Sequence, residues 1–313
     1  MRPPNPSQPP AQRRYLVAGN ALEAPALSAG LHIVATPIGN LGDITLRALQ
    51  ALAGADLIAC EDTRVTRRLL DRYGIATPLT PYHDHNAAAA RPALLRRLEQ
   101  GAALALVCDA GTPLVSDPGF KLVRAALAAG HPVTTLPGPS ALLAALSVAG
   151  LPTDQFFFAG FLPPKAAARR ARISELARIP ATLVLYETGP RLAGALADLA
   201  AGLGGREAAI CRELTKLHED IRRGDLAMLA QDFATAEVRG EIAIVIAPPL
   251  GEERPSAEDA DRLLREALAR ASLKDAVAEV CAATGLPRRD VYQRALALAR
   301  QPVNDRTGHG APR

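Results

Sequence analysis

The chain has 313 residues, enough for about two domains of roughly 100–200 residues each, and 49% are hydrophobic, which excludes a disordered protein. A net charge of +4 permits a polyanionic partner without specifying one, and four well-separated cysteines (Cys60, Cys108, Cys211, Cys281) exclude a disulfide scaffold or cysteine zinc site. No apolar run reaches the roughly 18 residues of a membrane span and the N-terminus has no apolar signal core, so a soluble, cytoplasmic protein is expected.

Residues 1–29 begin MRPPNPSQPPAQRR. Proline and polar residues dominate, and such a segment is expected to stay a disordered extension. Residues 30–137 read as a first α/β domain. Leu31–Ala35 is a strand, followed by the loop Thr36-Pro37-Ile38-Gly39-Asn40 and a helix capped by Asp43 or Thr45. Ala55–Cys60 is a second strand, ending in Glu61-Asp62-Thr63-Arg64. A helix bearing Leu69 and Leu70 stops at Gly74, and the polar loop Tyr82-His83-Asp84-His85-Asn86 precedes an alanine- and arginine-rich helix. The apolar run Leu104–Cys108 then ends on Asp109-Ala110-Gly111-Thr112-Pro113, the pattern of a buried central strand cut off by glycine and proline. A further helix and the strand Val133–Leu136 close this half. Strands alternating with helices predict a mostly parallel sheet, whose strand ends leave backbone groups free for a ligand.

Leu136-Pro137-Gly138-Pro139-Ser140-Ala141 marks a seam, with a helix opening on Ser140. Unpaired N–H groups at a helix start favour negative or electron-rich ligand atoms. Residues 138–250 form a second α/β domain with strands at Phe156–Phe161, Ala181–Glu187, Ala208–Glu213 and Glu241–Ala247. Tyr186-Glu187 and Arg212-Glu213-Leu214-Thr215-Lys216 stand at strand ends, so two α/β halves with polar strand-end loops imply a cleft between them. From 251 to 300 the period is helical. Two short helices joined by Thr284-Gly285-Leu286 make a helix-turn-helix-like pattern, and Arg288, Arg289, Arg294 and Arg300 suit phosphate contacts. A helical cap on the second domain is the other reading of the same segment. Residues 301–313 read as a tail.

Several chemistries are excluded by what the chain lacks. No G-x-G-x-x-G follows a strand, no G-x-x-x-x-G-K-[ST] occurs, and Ser140 sits in P-G-P-S-A rather than a G-x-S-x-G elbow. His83 and His85 have no third ligand nearby, so no metal is expected.

Seven motifs occur in order: Ala35–Thr45, Cys60–Arg64, Tyr82–Asn86, Asp109–Pro113, Ser116-Asp117-Pro118-Gly119, Pro137–Ala141 and Gly160-Phe161-Leu162-Pro163. Together they closely resemble the tetrapyrrole methylase superfamily and, within it, the small-subunit ribosomal RNA methyltransferase I family, over residues 30–300. The chain departs from that pattern at Pro163-Pro164-Lys165 and at Glu187-Thr188-Gly189-Pro190-Arg191.

The resemblance implies a tetrapyrrole-methylase-like fold, S-adenosylmethionine in the cleft between two α/β domains, and a homodimer. The reaction implied is 2′-O-methylation of a cytidine ribose in the decoding centre of 16S rRNA. Cofactor contacts are expected at Pro37, Gly39, Asp109, Gly111, Thr112, Leu114, Ser140, Ala141 and Tyr186. A ribose hydroxyl must lose its proton, and a placed carboxylate or imidazole adds roughly 10²–10⁴-fold. Glu187 and Glu213 are the first candidates, then His83 and Glu61. Arg64, Lys165, Arg191, Lys216, Arg288 and Arg289 are the expected RNA contacts. A tetrapyrrole C-methyltransferase of the same fold and a non-catalytic RNA-binding protein stand as the competing readings.

Overall fold

The structure, a computed structural model, describes residues 13–116, 119–249, 257–284 and 286–299. They fall into two compact units, one ending at Pro248 and the other beginning at Pro249.

The first unit opens on a hairpin, β1 (Arg14–Val17) paired with β2 (Asn20–Glu23). This corrects the expectation of a disordered segment across 1–29, whose proline-rich residues 1–12 lie outside the described residues. Residues 13–23 fold because they have something to bury and somewhere to turn. Tyr15 joins a core cluster with Leu49, Leu52 and Leu70, and the Leu16 N–H donates to the Tyr73 carbonyl. Ala18 and Gly19 both take positive φ (50° and 81°), the turn form whose hand matches strand twist. Composition averaged over 29 residues hid four residues of alternation.

A five-stranded sheet comes next in the chain: β3 (Gly30–Val34), β4 (Leu57–Cys60), β5 (Leu79–Pro81), β6 (Ala103–Leu106) and β7 (Val133–Leu136). Its order is β5-β4-β6-β3-β7 and every pairing is parallel. β3, β4 and β6 are buried throughout, as the continuous apolar runs predict for strands covered on both faces. The helices are α1 (Leu46–Gly54), α2 (Thr63–Arg72), α3 (Ala87–Glu99) and α4 (Phe120–Ala128). α1 starts where Thr45 accepts the Ala48 N–H, and α2 where Asp62 accepts the Arg64 N–H. Since the strands are parallel, the loops after β3, β4, β6 and β7 all leave from one edge.

The second sheet contains β8 (Phe156–Phe161), β9 (Thr182–Thr188), β10 (Glu207–Arg212), β11 (Asp220–Asp225) and β12 (Glu241–Ile246), in the order β11-β10-β12-β9-β8. Only β8 and β9 pair in parallel. Helices α5 (Ala141–Ala149), α6 (Ala166–Leu176), α7 (Gly189–Leu203) and α8 (Leu226–Asp232) accompany it. β11 and α8 are absent from the sequence reading. β11 is DIRRGD, a charged edge strand with little apolar patterning to betray it. The antiparallel placement of β12 brings together residues far apart in the chain. It sets Glu241 against Thr188 and Ile242 against Arg212, so the start of β12 meets the carboxyl ends of β9 and β10.

The second unit packs α9 (Ala257–Leu268), α10 (Leu273–Thr284) and α11 (Arg288–Ala299) around Leu264, Val277, Val280, Val291 and Ala295. Arg294, read as a phosphate contact, pairs with Asp261 at 3.0 Å. Gly285, Arg300 and the expected tail 301–313 lie outside the described residues. Among the described residues no helix is long and apolar enough to cross a membrane.

Candidate active site

Two hollows open within the first unit, where the strand-end loops of the parallel sheet face those of the second sheet. The larger, of about 360 Å³, is lined by residues including Gly111, Thr112, Ser140, Ala141, Tyr186 and Glu213. The smaller, of about 340 Å³, includes Pro37, Gly39, Leu41, Val65 and Arg68. Ile38, Asp109, Ala110, Lys216 and Glu241 line both.

The loops are laced together by their own hydrogen bonds. Thr36 and Gly111 exchange N–H···O bonds of 2.9 and 3.0 Å, and Thr36 Oγ1 donates to the Cys108 carbonyl at 3.1 Å. Thr112 Oγ1 donates to the Pro139 carbonyl at 3.1 Å, joining the loops after β6 and β7. Asp109 Oδ1 accepts the Asp62 N–H at 2.9 Å, joining the ends of β6 and β4. Leu114 and Ser116 have positive φ (78° and 64°), strain that only a well-determined loop sustains. That conformation turns the Leu114 side chain toward the core beside Leu106 and Leu122, and Leu114 lines neither hollow.

Opposite these loops stands a latch of three charges. Lys216 Nζ donates to Glu213 Oε1 at 2.9 Å and to Glu241 Oε2 at 2.7 Å, while Glu213 Oε1 also accepts the Glu241 N–H at 2.9 Å. Burial alone would push the Glu213 carboxyl up, but the Glu241 N–H and the Lys216 ammonium outweigh it and hold it below its ordinary value. Burial likewise opposes the Lys216 charge, and the two carboxylates overcome that and raise it. Two glycines make room for the latch. A Cβ on Gly39 would lie 2.4 Å from Lys216 Cγ, and one on Gly240 (φ +95°) 2.4 Å from Glu213 Oε1.

The latch makes a signed prediction. Glu213, depressed on folding, stabilises above the ordinary carboxyl value of 4.5 and loses that contribution as pH falls through its lower folded value. Lys216, raised on folding, stabilises below 10.5 and loses it as pH climbs through its higher folded value. Lys216→Met should therefore give a thermal unfolding midpoint that declines less steeply below pH 4.5 than the parent's. Equal slopes in scanning calorimetry would show that the ammonium does not hold Glu213 low.

The other expected site residues separate clearly. Glu61 and Glu187 line the larger hollow. Glu187 has a side chain only 1% exposed; its Oε1 accepts the Thr188 N–H at 2.9 Å and its Oε2 pairs with Arg191 at 3.1 Å. Arg191 also donates to the Leu162 carbonyl at 2.5 Å, so the guanidinium expected to contact RNA makes two contacts inside the fold. Lys216 lines both hollows and pairs with Glu213 and Glu241. Arg64 forks onto Asp62, which holds that carboxyl down to about 2, and Lys165 is exposed at the start of α6, away from both hollows. His83 is half-buried and lines neither hollow; its backbone N–H donates to Asn86 Oδ1 at 2.9 Å. Arg288 and Arg289 are exposed at the start of α11, in the second unit. Missing from the sequence reading were Ile38, Arg68, Glu241 and Cys211. Burial pushes the Cys211 thiol up to about 11, so it stays protonated and unreactive at neutral pH.

A model of the tetrapyrrole (corrin/porphyrin) methylases matches residues 30–230. Solved structures agree on fold: a cobalt precorrin-4 methyltransferase (TM-score 0.54, 16% identity, covering 69% of this chain and 94% of that one) and the methyltransferase CobJ (0.54, 21%, 71% and 95%). The fold and the two-sheet cleft thus define a methyltransferase of the tetrapyrrole methylase class. The model of the RsmI C-terminal HTH domain matches residues 254–299. Proteins named ribosomal RNA small subunit methyltransferase I are similar over nearly the whole chain. That of Mesorhizobium japonicum is 48% identical over 94% of this chain and 99% of its own, and that of Erythrobacter litoralis 51% over 88% and 97%. The chain belongs to the ribosomal RNA small subunit methyltransferase I family. The tetrapyrrole-methylating proteins share its fold alone.

Proposed function

We propose that the chain transfers the methyl group of S-adenosylmethionine to the 2′-hydroxyl of a cytidine in the decoding centre of 16S rRNA, in the cytoplasm. The observation that carries this reading is the larger hollow, where the loops after β6 and β7 meet the ends of β9 and β10. Its volume falls in the about 300–1,000 Å³ range of small-molecule sites. At its rim Ser140 caps no amide with its own side chain, so the first amides of α5 are available to a ligand. The Tyr186 ring, held edge-on by Phe158 and Phe161 at 4.9 and 5.7 Å, gives a rigid aromatic wall. Carboxylates at Glu61, Asp109, Glu187 and Glu213 give the interior an anionic lining that suits a cationic sulfonium.

When bound, the donor supplies an activated methyl: the 2′-oxygen forms the new C–O bond as the S–CH₃ bond breaks with its electrons to sulfur. The protein's part is mainly positioning, an effective concentration on the order of 10⁵ M or more. Glu213 is held below its ordinary value by the Glu241 N–H and the Lys216 ammonium, and Glu187 is tied to Arg191 and the Thr188 N–H. Glu61, at the end of β4 on the wall of the cleft, takes the hydroxyl proton in this reading. Glu61→Gln should then lower kcat at saturating cofactor by about 10²–10⁴-fold. A kcat within threefold of the parent's removes Glu61 from that role.

A homodimer fits the apolar hollow formed by Leu143, Leu146, Leu151 and Phe156, where Leu143 is 54% and Phe156 43% exposed. Sedimentation should give a two-chain mass that Leu143→Asp reduces to one. The reading as a whole is tested by incubating labelled S-adenosylmethionine with small subunits lacking the mark and mapping the methylated nucleotide. Label on a base, or on no RNA, overturns it.

A further inference from the structure

The smaller hollow, lined by Pro37 and Gly39 among others, shares a wall with the hollow proposed above for the donor. We infer that it seats the acceptor nucleotide and that Arg68 grips the phosphodiester beside the target ribose. This rests on the function proposed above, because it places the second reactant of that reaction.

Three observations carry it. First, in-line transfer needs donor and acceptor in contiguous spaces, and Ile38, Asp109, Ala110, Lys216 and Glu241 line both hollows. Lys216 stands in that shared wall with its stem packed on Gly39 and its ammonium tied on both sides. Second, the chemistry of the smaller hollow differs from that of the larger. Pro37, Leu41, Val65 and Leu69 make it mostly apolar, which suits a nucleoside that has left its stack. Its volume, about 340 Å³, is again that of a small-molecule site.

Third, the rim carries an available guanidinium. On α2, Arg64, Arg68 and Arg72 are exposed at four-residue steps, one face of the helix with about 6 Å between successive side chains. Arg64 is occupied by Asp62, whereas Arg68 lines the hollow and has no ion-pair or hydrogen-bond partner among the described residues. Arginine's planar fork matches two phosphate oxygens at once. A carboxylate-lined interior beside a basic rim also sorts the reactants: the cationic donor is drawn in and the polyanion is held at the edge.

The test uses the full chain, labelled S-adenosylmethionine and small subunits lacking the mark, with cofactor affinity measured separately by calorimetry. Arg68→Ala should raise KM for the subunit about tenfold or more and reduce the salt slope of log KM by about 0.7–0.9, the loss of one phosphate contact. Its kcat at saturating subunit and its cofactor affinity should stay within threefold. Val65→Phe, at a position 37% exposed and so tolerant of bulk, should fill the hollow and cut turnover more than about tenfold with cofactor affinity unchanged. An Arg68→Ala enzyme with parental KM and salt slope overturns the inference. So does a Val65→Phe enzyme with parental turnover, or one that loses cofactor affinity in step with activity. These ratios are read on whichever RNA the parent methylates, so a wrong acceptor sinks the proposed function without deciding the hollow.

Discussion

Arg191→Ala should lower the unfolding free energy by about 3–5 kcal/mol, the cost of leaving a buried charge without its partner. Glu187 is the reason. Its side chain is 1% exposed and Arg191 supplies its counter-charge at 3.1 Å, while the same guanidinium ties the Leu162 carbonyl after β8 to the first turn of α7. Removing the arginine leaves a carboxylate in a low-dielectric wall with only the Thr188 N–H to satisfy it. At roughly 2–4 °C per kcal/mol for a unit of this size, Tm should drop by about 6–20 °C. The double variant Glu187→Leu, Arg191→Leu should recover part of the loss, since replacing both partners by apolar groups removes the unpaired charge. A single variant within 1 °C of the parent would mean that the pair is not buried in solution.

Ala141→Phe should weaken S-adenosylmethionine binding at least about 100-fold, close to 2.8 kcal/mol, while the fold melts as before. Ala141 is the first residue of α5 and lines the larger hollow, half-buried, so a phenyl ring there takes up space in the cleft. The discriminating measurement is calorimetric titration with the cofactor beside a melting curve. Affinity within threefold of the parent's would place the donor somewhere other than between the Asp109 and Ser140 loops. Ala141→Gly, which adds no volume, should keep most of the affinity. Lost binding in that variant would trace to the helix start instead of to occupied space.

What could be read along the chain was whatever is local. Apolar runs stopped by glycine and proline located β3, β4 and β6, and the resemblance carried by Asp109–Pro113, Pro137–Ala141 and Cys60–Arg64 pointed to the methyltransferase family. Each of those signals lies within about a dozen residues, the reach of periodicity, capping and turn chemistry. The hairpin at 14–23 was lost because composition was averaged over too long a window, and β11 because a charged edge strand shows no apolar alternation.

Residue identity by itself determined the class of fold, the loops that carry the site and the family to which the chain belongs. Which charges are free was decided only by tertiary structure. Arg191 and Lys216 look in the sequence like cations available to RNA, but antiparallel β12 brings Glu241 to Lys216, and the first turn of α7 sets Arg191 over Glu187. Arg68 looks unremarkable beside Arg67, yet it alone of that pair lines a hollow. The physical reason is that a charge's availability depends on its neighbours in space, and those are supplied by strand order and register, which no local pattern encodes.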